Sequence, residues 1–150
     1  MNQAPALHRH DAVEPTLLFR AATVAALVPL LARLRLPRLE ALIEPRRSPG
    51  RLGRGEETLT FERVDRAVAI AMQRGAPFVR PGCLTRGVAR YWLLRRAGID
   101  VSLCFGVGQV AGAIESHCWI ELRGAVMLEL ADPLVTFGEI ARIPGVATRG

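Results

Sequence analysis

A cysteine, a histidine and an acidic residue follow one another along the second half of the chain, each in its own predicted element. Cys83 comes directly after a Pro-Gly pair and opens a helical pattern, His117 lies in a later strand pattern, and Glu129 lies in the next strand. The thiolate form of cysteine is a good nucleophile, and the positive end of a helix or a nearby imidazolium lowers the pKa of the thiol. A histidine acts as the base when an acceptor orients its second ring nitrogen. The pattern therefore predicts a nucleophilic site that contains Cys83, His117 and Glu129.

Two acidic residues compete for the third position of this site. With a hairpin turn at residues 123–124, Glu129 comes roughly opposite His117 or its neighbour, within reach of the imidazole. Asp132 is the alternative, but Pro133 follows it, which indicates that the strand has already ended there. We therefore expect Glu129 to orient His117 and keep Asp132 as the alternative third member.

The other side chains near His117 have structural interpretations. Trp119 shares a face with His117 and either shields the site from water or serves as a half-buried aromatic residue of the sheet. Cys104 and Cys118 are expected to be core residues inside strands, because an isolated cysteine is more often inert than nucleophilic. A non-catalytic scaffold with a buried, inert Cys83 stays open as an alternative for the same reason.

The spacing of the cysteines bounds the chemistry further. There are three of them, without a CxxC pair, which argues against a disulfide framework. Because no signal-peptide pattern precedes them, we expect a reducing compartment and therefore a cytoplasmic protein. Their spacing with His117 fits no usual zinc motif, and no nucleotide-binding motif occurs. The sequence therefore predicts neither a metal nor a cofactor.

The basic character of the chain comes entirely from arginine. The 150 residues include 20 arginines, no lysine and 14 acidic residues, which gives a net charge of +6. The arginines are scattered and aromatic residues are few, so there is no aromatic-rich basic surface on which nucleic-acid bases could stack. Half of the residues are hydrophobic, which is enough for one buried core. A single globular domain without a nucleic-acid partner is expected.

Residues 1–57 are predicted to form a polar tail at residues 1–13, an apolar helical arm and a loop. The arm covers residues 16–36, with Pro29 as the place of a kink, and its uncharged part is too short to span a membrane. The simplest interpretation is an amphipathic helix that covers the core, and the alternative is a docking or membrane-surface helix. Residues 44–57 are rich in Pro, Gly and charge and predict a loop.

Residues 58–150 are predicted to form the core that carries the site. Apolar periodicity predicts helices at residues 61–74 and 83–96, followed by strands at residues 101–107, 117–122 and 126–130. A glycine-containing loop joins the first two strands, and residues from 132 onward carry no pattern that assigns them. Helices packed on a small antiparallel sheet give an α+β fold.

Four short motifs occur in order along residues 60–132: Cys83-Leu84-x-Arg86, Leu93-Leu94-Arg95-Arg96-x-Gly98-Ile99, Gly106-Val107 and His117-x-Trp119-x-Glu121-x-x-Gly124. Together they resemble the transglutaminase-like cysteine proteases of lasso-peptide biosynthesis. These are the leader peptidases called B2 proteins, which are related to the microcin-processing peptidases.

The resemblance implies a transglutaminase-like, papain-related fold, with Cys83 as nucleophile and His117 as base. The third member of the family site follows the histidine on the next strand and is often Asp, and here Glu129 holds that position. The resemblance further implies removal of the leader from a ribosomally synthesised precursor peptide, with a separate leader-recognition protein and a macrolactam-forming cyclase as partners. An amidase or a transglutaminase on the same fold is the alternative enzyme.

Overall fold

The computed structural model describes residues 13–44 and 53–144, which form four helices and a four-stranded antiparallel sheet. The helices are α1 (Pro15–Leu31), α2 (Leu36–Ile43), α3 (Arg54–Arg74) and α4 (Cys83–Arg96). The strands are β1 (Val101–Val110), β2 (Ala113–Leu122), β3 (Ala125–Met127) and β4 (Phe137–Ile143), in the sheet order β3-β2-β1-β4. The fold is α+β, as predicted.

The apolar N-terminal arm consists of two helices, so the prediction of one helix over residues 16–36 is wrong. α1 continues through Pro29 and ends at Leu31, and α2 begins at Leu36 with a proline in its first turn, where the missing N–H has no intrahelical partner to lose. α1 buries Val24 and Val28 against α3 and α4, so the arm covers the core. Across the described residues, no helix has both the length and the apolarity to cross a membrane.

α3 begins several residues before the predicted position. The Glu56 carboxylate accepts a hydrogen bond from the Gly53 N–H at 3.2 Å, and Glu57 forms an ion pair with Arg123 at 2.7 Å. Two acids in the first turn suit the positive end of the helix, so the loop prediction is wrong from residue 54 onward. The predicted boundary after residue 57 falls inside α3. The rest of the predicted loop, residues 45–52, and nearly all of the predicted tail lie outside the described residues.

The hairpin of β1 and β2 is longer than predicted, and a fourth strand joins it. β1 pairs with β2 as far as Val110 and Ala113, so most of the predicted loop over residues 109–116 is strand, closed by a two-residue turn with positive φ at Ala111 and Gly112. β4 pairs with the other edge of β1, and the sequence carried no signal for it. β3 ends at Met127 rather than at residue 130.

The core lies between the helices and one face of the sheet. The predicted apolar face of α3 is confirmed, since its five members are buried: Phe61, Val64, Ala67, Val68 and Ala71. α4 crosses the sheet at Gly87, where an added Cβ would lie 2.8 Å from Cys118 Sγ and 3.0 Å from a methyl carbon of Leu103. This close approach of helix and sheet brings Cys83, one turn earlier on α4, next to β2.

Candidate active site

Cys83 is the first residue of α4, as predicted. Gly82, at the N-cap position, has no side chain to bond the first N–H groups of the helix, and these groups have no partner within the helix. The Thr85 hydroxyl donates a hydrogen bond to the Arg80 carbonyl oxygen at 2.7 Å, which fixes the segment that leads into the helix. Cys83 is half-buried, with Sγ 4.0 Å from the Ser116 carbonyl oxygen of β2.

The surroundings of Cys83 favour its thiolate form. A hydrogen bond from the Cys118 thiol, followed by a hydrogen bond and the positive charge of His117, lowers the pKa of the Cys83 thiol from 9.0 to about 5, although partial burial opposes this change. A group with this pKa is ionised at neutral pH. Cys83 therefore meets the first requirement of a nucleophilic cysteine.

Cys118 has a role that the sequence interpretation missed. It is buried, as expected for a core cysteine, but its side chain also contacts Cys83. The bond to Cys83, together with burial, raises the pKa of Cys118, so this thiol keeps its proton and remains a donor. Strand alternation indicates only that Cys118 faces the helices, and the position of Cys83 opposite it depends on the tertiary packing at Gly87.

His117 and Glu129 lie in direct contact. Nε2 of His117 is 3.2 Å from Oε2 of Glu129, and both side chains are mostly buried. An ionised carboxylate can only accept a hydrogen bond, so Nε2 carries the proton in this pair and Nδ1 is left for the thiol. The structure therefore brings Cys83, His117 and Glu129 together in one place.

Asp132 has a different contact. Its carboxylate accepts a hydrogen bond from the Leu134 N–H at 3.0 Å and caps the short 3-10 helix Pro133–Val135. The geometry thus brings Glu129, rather than Asp132, to His117.

Two aromatic rings flank the imidazole. The Trp119 ring lies 6.3 Å from the His117 ring in a stacked orientation, and the Phe137 ring lies 5.2 Å away. Trp119 is 1% exposed, so it is more deeply buried than the half-buried residue that was expected. Its indole N–H donates a hydrogen bond to Glu121 at 3.1 Å. A Cβ at Gly106 would lie 2.8 Å from the Trp119 ring, so only glycine lets the indole cover β1. The rings limit the access of water to His117. Phe137 could not be found in the sequence because β4 was not predicted.

Arg90 is a further charged residue at this site that sequence reasoning missed. It is buried on α4, with Nη1 3.8 Å from Oε1 of Glu129 and Nε 2.9 Å from Oδ1 of Asp65 on α3. The scattered arginines of the sequence gave no reason to select this one, because its partners are distant in the chain.

A cleft of about 400 Å³ lies between α3 and α4, beside the segment that leads into Cys83. Pro81 and Arg86, which flank the nucleophile in sequence, line it together with Asp65, Met72 and Arg90. Arg86 and Arg90 lie within one or two turns of Cys83 on the same side of α4. The cleft therefore lies beside the nucleophile, although Cys83 itself is not among the residues that line it.

One cluster of metal-capable side chains occurs among the described residues, away from Cys83. Ligand atoms of Cys104, Glu121 and Glu139 lie within 4.8 Å of one another. The Arg142 guanidinium bonds Glu121 at 3.2 Å and Glu139 at 2.7 Å. One arginine thus offsets part of the negative charge of the two carboxylates. Burial raises the pKa of the Cys104 thiol to about 12, which disfavours the thiolate that a metal needs.

Comparison with protein families agrees with this geometry. The profile of the transglutaminase-like superfamily matches residues 23–142, a range that begins in α1 and contains Cys83, His117 and Glu129. No curated protein and no solved structure matches the chain significantly. Because the profile covers most of the chain, the protein belongs to the transglutaminase-like superfamily, whose members are typically cysteine-dependent.

Proposed function

We propose that the protein is a cysteine peptidase that removes the leader from a ribosomally synthesised precursor peptide during lasso-peptide maturation. The observation that carries this proposal is the position of Cys83 as the first residue of α4, beside His117, whose Nε2 lies 3.2 Å from Oε2 of Glu129. Superfamily membership supports the cysteine chemistry, and the four motifs of the lasso-peptide leader peptidases support the choice of substrate.

Acylation begins with attack of the Cys83 thiolate on the carbonyl carbon of the peptide bond between leader and core peptide. The C–S bond forms, and backbone N–H groups at the start of α4, including that of Cys83, stabilise the oxyanion. The His117 imidazolium then gives its proton to the leaving nitrogen as the C–N bond breaks. The leader stays on Cys83 as a thioester, and the core peptide leaves with a free amino group.

Deacylation returns the enzyme to its starting state. Neutral His117 takes a proton from a water molecule as its oxygen attacks the thioester carbonyl. The C–S bond breaks, the leader leaves as a carboxylic acid, and the thiolate and imidazolium are restored. Glu129 keeps the imidazole oriented in both halves of the reaction. The atoms and charges of the two half-reactions balance without a metal, an oxidant or a cofactor.

The chemistry of the product and the resemblance to the leader peptidases suggest two partner proteins. A core peptide with a free α-amine is the nucleophile that a macrolactam-forming cyclase requires, so we propose such a cyclase as the next enzyme. By the resemblance to the lasso-peptide leader peptidases, we also propose a separate leader-recognition protein as a partner. The reaction is proposed to take place in the cytoplasm, where a thiolate nucleophile stays reduced.

The test is cleavage of a synthetic lasso-peptide precursor, in the presence of a leader-recognition protein from the same genome, followed by mass spectrometry. We expect a single cut at the leader–core junction. Cys83→Ala and His117→Ala should each abolish it, because a nucleophile and its base act as one unit. The matched control is Cys104→Ala, which removes a buried cysteine outside the site and should retain activity. Cleavage by Cys83→Ala would contradict the mechanism.

The same reaction mixture separates the alternatives. Transfer of the peptide acyl group to an added primary amine, without hydrolysis, would indicate a transglutaminase. Release of ammonia with an intact backbone would indicate an amidase. A native protein that leaves the peptide unchanged and whose Cys83 does not react with thiol reagents would indicate a scaffold.

A further inference from the structure

Glu129 lies in a segment that follows β3 and is not paired with a strand of the sheet. The ladder between β2 and β3 ends at the pair Ile120 and Met127, two residues before Glu129. Leu128, which lies between Met127 and Glu129, has a φ of 63°, and Leu130 is fully exposed. A glutamate side chain also has more rotamer freedom than an aspartate side chain. The carboxylate therefore needs an anchor other than strand pairing to stay at His117.

Arg90 is in the position to provide that anchor. The two oxygens of the Glu129 carboxylate are shared between two partners: Oε2 lies 3.2 Å from His117 Nε2, and Oε1 lies 3.8 Å from Arg90 Nη1. The Arg90 side chain is 9% exposed, so its charge is only weakly screened by water. The guanidinium thus restrains one oxygen while the other faces the imidazole.

Arg90 is itself fixed by α3. Its Nε donates to Asp65 Oδ1 at 2.9 Å, and Nη2 bonds the same oxygen. Arg90 also follows Cys83 by two helical turns on the same face of α4. One rigid helix therefore carries both the nucleophile and the cation that sets the position of the acid.

We propose that Arg90 is a positioning residue that holds the Glu129 carboxylate against His117, with Asp65 fixing the guanidinium in turn. The inference rests on the proposed roles of Cys83, His117 and Glu129 as one catalytic unit. The extended unit has five side chains, which contact one another in the order Asp65, Arg90, Glu129, His117 and Cys83.

The experiment is a double-mutant cycle on kcat with p-nitrophenyl acetate, an activated ester that acylates nucleophilic thiolates. Arg90→Met keeps an unbranched side chain that fills much of the space of the arginine stem but removes the guanidinium and its charge. We expect kcat to fall about 10- to 100-fold with little change in KM, because small misplacements of a catalytic group cost this much. If Arg90 acts through Glu129, the same change made in a Glu129→Gln background should have almost no further effect on kcat.

Two further variants separate positioning from stability. Arg95→Met removes another ion-paired arginine of α4, bonded to Glu44 and Asp100 away from the site, and should lower the melting temperature without lowering kcat. Asp65→Asn keeps Arg90 but loosens it, so kcat should fall in the same direction by a smaller factor. This variant carries the test if Arg90→Met does not fold.

An unchanged kcat in Arg90→Met, or a full additional loss in the Glu129→Gln background, would overturn the inference. The ester assay does not depend on the precursor peptide. Failure of leader cleavage would therefore count against the proposed function and leave the result of the cycle intact.

Discussion

Replacement of Cys118 by alanine should raise the pKa of Cys83, because the Cys118 thiol is the largest cause of its lowered value. A hydrogen bond to a charged group contributes about 1.5–3 kcal/mol, and one pKa unit corresponds to about 1.4 kcal/mol. The loss of this donor should therefore move the pKa of Cys83 upward by about 1–2 units from its value of about 5. His117 still favours the thiolate, so the value should stay below that of an ordinary thiol.

The assay is the rate of alkylation of Cys83 by iodoacetamide from pH 4 to pH 9, with the modified peptide identified by mass spectrometry. A single pH is not sufficient, since two effects of the mutation oppose each other. At pH 6 the fraction of thiolate falls, but a thiolate of higher pKa is more nucleophilic by about 3- to 8-fold for a change of 1–2 units. The prediction therefore has two parts: the midpoint of the profile moves to higher pH, and the plateau above it rises.

Matched variants control for changes in packing. Cys118→Ser keeps a hydroxyl donor and should shift the midpoint less than Cys118→Ala does. Cys104→Ala also removes a buried thiol, but Cys104 lies on the opposite face of the sheet and should leave the midpoint unchanged. Equal midpoints for wild type and Cys118→Ala would refute the assignment of the thiol hydrogen bond. A shift of the same size in Cys104→Ala would attribute the effect to packing instead.

Two further predictions concern the third member of the site and the contact between helix and sheet. Glu129→Gln should lower kcat by a large factor at an unchanged melting temperature. Asp132→Asn should leave both kcat and the melting temperature nearly unchanged, because the amide oxygen of asparagine still accepts the Leu134 N–H. The reverse result would move the third position to Asp132. Gly87→Ala should lower the melting temperature by crowding the sheet, since overpacking costs about 1–3 kcal/mol and the gain in helix propensity is only about 1 kcal/mol. The control Gly55→Ala meets no atom within 4 Å and should not destabilise, and a rise in melting temperature for Gly87→Ala would contradict the packing argument.

Local sequence signals were sufficient for α4 and for the strand that carries His117. The Pro-Gly pair ends the preceding segment and the apolar period then indicates α4, so the start of the helix follows from residues that are adjacent in the chain. The strand of His117 follows in the same way from alternation. A lone core histidine after a cysteine at a helix start was therefore a usable signal, because both elements depend on short-range patterns.

Contacts between distant segments were beyond the sequence patterns. β4 is a partly exposed edge strand without a regular alternation, and its pairing with β1 depends on the completed hairpin. The ion pair of Arg90 with Asp65 joins residues on two helices, and no spacing rule selects one arginine among 20. The predicted contact of Glu129 with His117 was found although the expected strand over residues 126–130 was wrong, since the chain leaves the sheet at Leu128 before Glu129 turns to the imidazole.

The central claim is that Cys83 forms an acyl-enzyme that His117 then helps to hydrolyse, and rapid-mixing kinetics with p-nitrophenyl acetate test it most directly. We expect a burst of p-nitrophenolate close to one equivalent per chain, an acetyl group on Cys83 in the intact-mass spectrum, and steady turnover afterwards. His117→Ala should acylate slowly, because Cys83 loses a group that favours its thiolate, and should accumulate the thioester, because deacylation loses its base. Acetylation of Cys104 or Cys118 in place of Cys83, or equal turnover by wild type and His117→Ala, would contradict the account.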